Sequence, residues 1–347
     1  NAGTGTAEEA AEWVEYCHGK GINGGVWGIG NEMYGSWEAG SCSAEEYASR
    51  IMNFAQEIRD IDQKAKLVAV GSPYMDWNKI ILEKTTPIID YISIHMYAHS
   101  FPAEESDYFN VVGAPLRFEE SLEEVISLLK KYDPDSRIKI AVDEWNVRHI
   151  YGKHIDRKDP RNLQDALFVA GVFNVFQRLC KYVTLANYVF MVNGHAPILV
   201  EEDSILESSI YPIFYAYQNF SYKNAVKTSV ESPIYNAKIK DIGVCGGEKE
   251  ISIPLIDASA TTDFNGNLSV SVINRSKEEV IINLEILGSQ LDKDSKVELW
   301  SFSADSPLKT NYWSSPDAIK PILTDIEDVR SVSLKPYSVN FFKMKIK

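Results

Sequence analysis

The first two-thirds of the chain alternates short apolar runs with longer segments of mixed polarity. The apolar runs lie at residues 26–30, 67–71, 91–96, 138–142 and 183–192. Nearly continuous apolar runs are typical of parallel strands that are covered on both faces. Helical patterns lie between them, for example at residues 76–84 and 163–180. This alternation predicts an α/β fold.

Three of the intervening helices are predicted to begin with a capping box. Their hydroxyl residues are Thr6, Ser43 and Ser121, each followed three residues later by Glu. The hydroxyl accepts a hydrogen bond from the third amide of the helix, while the Glu side chain reaches back to the cap residue.

The pattern changes after residue 204. Residues 211–217 are predicted to form a crossing helix, and short alternating strands dominate from residue 226 onward. Strands are predicted at residues 268–273, 280–286 and 332–346, with a hairpin turn at Asn265-Gly266. We therefore predict a catalytic α/β domain at residues 1–204, and a linker helix with a β-sandwich at residues 205–347.

The number of strands bears on the architecture of the first domain. Five strands are too few for a closed eight-stranded barrel. Residues 1–6 would follow the end of an earlier strand, so we expect about three βα units upstream of this chain. A separate N-terminal fragment that completes the barrel is therefore one partner to expect.

Composition excludes several classes of partner. The chain has 35 basic and 49 acidic residues, and the net charge of −14 argues against nucleic acid or an anionic membrane as partner. No apolar run is long enough for a transmembrane helix. The cysteines, which are Cys17, Cys42, Cys180 and Cys245, form no CxxC pair, so we expect isolated thiols.

The candidate chemistry lies where two apolar runs end in a carboxylate. The first run leads to Asn31-Glu32 and the fourth leads to Asp143-Glu144. Retaining glycoside hydrolysis requires two carboxyl groups roughly 5–5.5 Å apart, which separate strands of one barrel can supply. We expect Glu144 to be the nucleophile and Glu32 the acid/base.

Neighbouring residues are candidate substrate contacts. The Asn31 amide can bind a sugar hydroxyl, and Trp37 and Trp145 can supply rings. On the third run, Tyr97 can orient the nucleophile, and His95 either contacts the sugar or the acid or is an ordinary histidine at the barrel rim. The histidine spacings lack the acidic or Cys companions of a zinc site, so we expect neither a metal nor another cofactor.

These residues resemble a known family. Residues 27–33 and 143–147 are similar to the catalytic segments of glycoside hydrolase family 51, the α-L-arabinofuranosidases. Similar segments at residues 93–97, 196–199, 256–260 and 272–276 extend the resemblance along nearly the whole chain. The resemblance implies a (β/α)8 barrel followed by a β-sandwich, retention of configuration, Glu32 as acid/base, Glu144 as nucleophile and a homo-oligomer. Arg148 and Phe190 stand where the family often has Trp and Gln close to the sugar.

The sequence therefore predicts an exo-acting, retaining α-L-arabinofuranosidase that acts on arabinan, arabinoxylan or arabino-oligosaccharides. A retaining endo-β-glycanase on a related barrel is one alternative. An inactive remnant that binds sugar or a partner protein is another. For localisation we expect the cytoplasm, with the periplasm or secretion as alternatives.

Overall fold

The computed structural model describes residues 1–22, 24–102, 107–240, 248–292 and 296–347. The chain forms two compact units. The first comprises residues 1–96, 120–145 and 181–187, and the second comprises residues 97–119, 146–180 and 188–347. The predicted domain boundary after residue 204 stays a prediction.

The helices and strands of the described residues are as follows. The helices are α1 (Ala7–Gly19), α2 (Ala44–Ile61), α3 (Met75–Thr85), α4 (Asp107–Tyr132), α5 (Leu163–Arg178) and α6 (Tyr211–Phe220). The strands up to residue 207 are β1 (Val26–Ile29), β2 (Lys66–Val70), β3 (Tyr91–Ser100), β4 (Lys139–Tyr151), β5 (His154–Asp156), β6 (Val183–Tyr188), β7 (Ile198–Glu201) and β8 (Ser204–Glu207). The later strands are β9 (Asn224–Val226), β10 (Ile234–Ile239), β11 (Lys249–Pro254), β12 (Ile256–Thr262), β13 (Asn267–Asn274), β14 (Val280–Ile282), β15 (Val297–Phe302), β16 (Ile322–Ile326), β17 (Val332–Leu334) and β18 (Ser338–Lys345).

The N-terminal sheet carries the predicted α/β pattern. Its strand order is β1-β2-β3-β4, and β5 and β6 both pair with β4. The pairs β1–β2 and β2–β3 are parallel, with helices between consecutive strands. Parallel strands joined by helices are the repeating unit of a (β/α)8 barrel, so the predicted fold class is confirmed for this part. Strands β3 and β4 run further than predicted, to Ser100 and Tyr151.

Two of the three predicted helix starts are confirmed. The Thr6 hydroxyl accepts from the Glu9 amide, and the Ser43 hydroxyl accepts from the Glu46 amide, each at 3.2 Å. The predicted start at Ser121 is wrong, because this residue lies buried inside α4. The apolar pattern continues through it, and the flanking side chains of Phe118 and Leu122 are fully buried.

Tyr47 on α2 connects the first two strands. Its hydroxyl donates to the Ile29 carbonyl of β1 and accepts from the Val70 amide of β2 at 2.8 Å, and its side chain is 0% exposed. Burial removes water as an alternative partner for either backbone group. This hydroxyl therefore helps to fix the carboxyl ends of β1 and β2.

We expect Tyr47→Phe to lower the free energy of unfolding by about 1–3 kcal/mol, because it leaves two buried backbone groups without this hydroxyl as a partner. Chemical denaturation measured by circular dichroism tests this. The matched control is Tyr16→Phe on α1, where the side chain is 59% exposed and we expect a change within about 0.5 kcal/mol. Equal stabilities of the two variants would contradict the role of the Tyr47 hydroxyl.

The second unit contains the predicted β-sandwich. One sheet has the order β16-β15-β18-β13-β12-β9, and β14 pairs with β17 in a separate ribbon. Apolar side chains from the sheet, including Val272, Leu299 and Phe342, form a buried core with side chains of the ribbon. The fold class predicted for this region is confirmed.

Two details of the sandwich bear on the sequence patterns. The predicted turn at Asn265-Gly266 joins β12 to β13, and Gly266 has a φ of 77°, which favours glycine. The predicted strand at residues 332–346 is two strands, β17 and β18. Pro336 has no amide to donate and Tyr337 has a φ of 50°, so the strand is interrupted there.

The cysteines and the helices agree with the expectations from composition. Cys17, Cys42 and Cys180 are free thiols, and Cys245 lies outside the described residues. Among the helices of the described ranges, none combines the length and apolar character needed to cross a membrane.

Candidate active site

Glu32 lies in a tight turn that follows β1. Gly30 has a φ of 85° and Glu32 a φ of 38°, both in the left-handed region. A Cβ atom at Gly30 would lie 2.9 Å from the Met33 Cγ, so glycine suits both the backbone and the space. A left-handed conformation costs a non-glycine residue on the order of 1 kcal/mol, and here it fixes the position of a carboxylate at the end of a strand.

His95 on β3 lies among three carboxylates of the first unit. Its Nδ1 atom is 2.8 Å from the Glu32 Oε1 and 3.6 Å from the Glu144 Oε2. Its Nε2 atom is 3.5 Å from the Asp143 Oδ1. The His95 side chain is 9% exposed, so these carboxylates rather than water form most of its polar surroundings.

These surroundings decide the charge of His95. Burial by itself would lower the pKa, but hydrogen bonds with Asp143 and Glu32, and the charge of Glu144, outweigh it and raise the pKa of His95 to about 10. An unperturbed histidine has a pKa of about 6.5. His95 is therefore an imidazolium at neutral pH.

The two catalytic candidates both approach this imidazolium. One carboxylate oxygen of Glu32, one of Glu144 and one ring nitrogen of His95 all lie within 4.8 Å of one another. The Glu32 and Glu144 side chains are 19% and 33% exposed. Both carboxylates are thus partly shielded from water but remain reachable by a ligand.

Aromatic side chains donate to Glu32 from the same loop. The Trp37 Nε1 donates to the Glu32 Oε2 at 2.5 Å, and the Trp37 side chain is 66% exposed. The Tyr34 hydroxyl also hydrogen-bonds to Glu32, and burial, followed by the charge of Glu32, raises the pKa of Tyr34 well above its ordinary value. Glu32 is thus held by Tyr34, Trp37 and His95.

A family comparison decides the class of protein. Residues 143–338, more than half of the chain, match the family model described as the α-L-arabinofuranosidase C-terminal domain. The chain belongs to the α-L-arabinofuranosidase family. Residues 1–141 match a second model, described as the N-terminal domain of glycosyl hydrolase family 79. The predicted enzyme class, a glycosidase of the arabinofuranosidase type, is confirmed at the level of the family.

Relatives of known structure agree with this family. The α-L-arabinofuranosidase of Thermotoga maritima, solved as an arabinose complex, is 30% identical, with a TM-score of 0.86 over 99% of this chain and 74% of that one. The GH51 α-L-arabinofuranosidase of Thermotoga petrophila RKU-1 is 29% identical, with a TM-score of 0.87 over the same shares.

A curated relative is longer than this chain. The α-L-arabinofuranosidase C of Emericella nidulans is 28% identical over 90% of this chain and 67% of its own length. The chain spans 61% or 62% of the length of several Aspergillus relatives that it also matches.

Two further residues of the first unit, Asn31 and Trp145, are predicted to contact the sugar, and their surroundings differ. The exposed Asn31 amide donates to the Glu38 carboxylate at 3.0 Å. Trp145 is 1% exposed, so protein covers its ring. Their roles as sugar contacts stay predictions.

Three predicted contacts lie in the second unit. The Arg148 guanidinium lies 3.6 Å from the centroid of the Tyr97 ring, a cation–π contact. Phe190 is 51% exposed and packs against Gly194, where a Cβ atom would lie 2.9 Å from the ring. The predicted roles of Tyr97, Arg148 and Phe190 stay predictions.

Three side chains of the site could in principle act together as metal ligands. Among the described residues, Glu32, His95 and Glu144 offer ligand atoms close enough to surround one ion. Metal binding requires a neutral imidazole, and His95 would first have to lose a proton. His149 on β4 is buried and hydrogen-bonds to Asp165 at 3.0 Å. The expectation of no metal stays a prediction.

The sequence did not identify the supporting residues of this family member's site. Ser93, on β3, donates to the Asp143 Oδ1 at 2.5 Å, and Asp143 in turn faces His95. The available signals were the second carboxylate in Asp143-Glu144 and the two-residue spacing of Ser93 and His95, which puts both side chains on one face of a strand.

Proposed function

We propose that this protein is a retaining glycoside hydrolase of family 51 that releases terminal α-L-arabinofuranosyl residues by double displacement. The observation that carries the proposal is the approach of the Glu32 and Glu144 carboxylates to within 4.8 Å. Retaining enzymes place their two carboxyl groups about 5–5.5 Å apart, whereas inverting enzymes leave room for a water molecule between them.

In the first step, Glu144 attacks the anomeric carbon as Glu32 gives a proton to the departing oxygen. The bond to the leaving group breaks and a glycosyl ester forms on Glu144. In the second step, Glu32 removes a proton from water, and the resulting attack on the anomeric carbon releases the sugar and restores Glu144.

The contacts of Glu32 fix the position of its carboxyl group and favour the ionised form, which is the form that removes a proton from water in the second step. Hydrogen bonds from Trp37 and Tyr34 hold its carboxylate in one orientation. The imidazolium of His95 stabilises negative charge on both Glu32 and Glu144. We infer that these contacts orient Glu32 for proton transfer and Glu144 for attack on the anomeric carbon.

The substrate class follows from the family and from the loop after β1. We propose arabinan, arabinoxylan or arabino-oligosaccharides, with the exposed Trp37 ring as a platform for sugar and Asn31 as a hydrogen-bond donor. The similarity to the GH51 enzyme of T. petrophila supports the assignment to family 51. The homo-oligomer implied by the resemblance remains part of this proposal and is tested by sedimentation velocity.

We expect the protein to cleave an aryl α-L-arabinofuranoside and, in the presence of methanol, to form methyl α-L-arabinofuranoside. Methanol replaces water in the second step, so two inversions at the anomeric carbon return the α configuration. Proton NMR of the anomeric signals identifies the product. A β-configured product would contradict double displacement.

The control substrate is an aryl β-D-glucopyranoside, which we expect to remain intact. Release of arabinose from arabinan without an early fall in viscosity supports exo action. Absence of hydrolysis of every arabinofuranoside tested would overturn the proposed activity. An early fall in viscosity on a β-glycan would favour the endo-β-glycanase alternative.

A further inference from the structure

Asp143 immediately precedes the proposed nucleophile on β4 and is bound to two residues of β3. Its Oδ1 atom accepts from the Ser93 hydroxyl at 2.5 Å and lies 3.5 Å from the His95 Nε2. Ser93 is 4% exposed. One oxygen of Asp143 is therefore held by a buried hydroxyl on the side that faces the imidazole.

We propose that Asp143, fixed by Ser93, is a positioning residue that keeps His95 doubly protonated between Glu32 and Glu144. This inference rests on the proposed function, because it assigns Asp143 to the control of those two carboxylates. Asp143 acts through His95 and need not touch the substrate.

The two ring nitrogens of His95 face different acceptors. Nε2 faces Asp143, and Nδ1 faces Glu32 at 2.8 Å. With both protons present, each nitrogen donates to a carboxylate. With one proton present, the nearby Asp143 favours its retention on Nε2, and Nδ1 becomes an acceptor that favours a protonated Glu32. The charge of Asp143 thus biases whether Glu32 is ionised.

The titratable groups that contact His95, or that interact with those contacts, come from several elements. Glu32 and Tyr34 approach from the loop after β1, and Glu144 approaches from β4. Burial, with a smaller contribution from the charge of Asp143, raises the pKa of Tyr47 on α2. Tyr74, which precedes α3, lies close enough to Tyr34 to contribute to the raised pKa of that phenol. These groups are acids or phenols. Among the groups named here, the imidazolium carries the positive charge next to Glu32 and Glu144.

Removal of the Asp143 charge is predicted to shift the pH–rate profile, and the direction of the shift shows whether His95 has lost a proton. If His95 becomes neutral in Asp143→Asn, Glu32 and Glu144 lose a cation at 2.8 Å and 3.6 Å. Glu32 then ionises at higher pH, and the limb of the pH–rate profile that reports Glu32 moves upward by about one pH unit. If His95 instead stays charged, the loss of a neighbouring negative charge moves this limb downward.

The test combines the pH profile of kcat/KM with an NMR titration of His95. The protein is labelled with ¹⁵N-histidine, and the His95 signals are identified by their loss in His95→Gln. We expect the wild-type ring to remain doubly protonated above pH 8 and the Asp143→Asn ring to titrate below it. A wild-type His95 that is neutral at pH 7 would overturn the proposal, and so would an unchanged or lower Glu32 limb in Asp143→Asn.

Ser93→Ala provides a second variant in case Asp143→Asn does not fold. It leaves the Asp143 charge in place but removes the hydrogen bond that fixes it, so we expect a smaller downward shift in the titration of His95. No shift in Ser93→Ala would contradict a positioning role for the pair. The NMR titration needs no substrate, so it can fail while hydrolysis is observed, or succeed while hydrolysis is absent. Failure of this inference is thereby distinguished from failure of the proposed function.

Discussion

Replacement of Glu144 with alanine should reduce kcat for an aryl α-L-arabinofuranoside by a factor on the order of 10⁴–10⁶, the range observed when an essential catalytic side chain is removed. The reason is that neither neighbouring carboxylate is available to replace Glu144 as the nucleophile. Asp143 is bound to Ser93, and Glu32 is required as the acid/base. Initial rates with wild-type and variant protein measure the effect.

Azide separates loss of a nucleophile from loss of structure. A small anion can enter the space left by the Glu144 side chain and attack the same carbon from the same side, giving a glycosyl azide of inverted configuration. We expect azide to restore part of the activity of Glu144→Ala and to leave the wild type unaffected. The control is Glu124→Ala, an exposed glutamate on α4. Full activity of Glu144→Ala without azide would remove Glu144 from the mechanism.

Replacement of Glu32 with alanine should cost about 10²–10⁴-fold in kcat/KM for substrates with poor leaving groups, the usual contribution of a general acid. A dinitrophenyl leaving group needs little protonation, so we expect a much smaller loss in the first step with that substrate. The difference between the two substrates is the measurement. Glu32→Gln serves as a second variant, since it keeps the size of the side chain that contacts His95 and Trp37.

Glu38→Ala is the matched control for the acid role. Glu38 lies in the same loop as Glu32, but its carboxylate accepts from the Asn31 amide, whereas Glu32 accepts from Trp37. We expect any loss in Glu38→Ala to be independent of the leaving group. Equal losses for both leaving groups in Glu32→Ala would contradict proton transfer by Glu32.

The catalytic candidates illustrate a division between local and distant information. Glu32 and Glu144 are recognisable because each follows an apolar run, although Glu32 lies beyond the end of β1 and Glu144 lies inside β4, which runs on to Tyr151. Their partners are not recognisable in this way. His95 contacts Glu32 although 63 positions separate them in the sequence, and Ser93 hydrogen-bonds to Asp143 over a separation of 50 positions.

The error at Ser121 has a physical cause as well. This residue carries a complete local signal for a helix start, yet α4 continues through it because the flanking apolar residues are buried. Local hydrogen bonding of a cap is worth about 1 kcal/mol, whereas burial of a large apolar side chain contributes about 1.5–3 kcal/mol. Packing therefore outweighs the capping signal at this position.

The sequence by itself determined the order of elements, the confirmed helix starts at Thr6 and Ser43, and the turn at Gly266, because these depend on neighbouring residues. Only the tertiary structure decided which charges surround His95. A pKa depends on groups within a few ångströms in space, and these groups come from separate strands. The sequence thus identified two carboxylates, while the fold set the distance between them and placed a cation next to both.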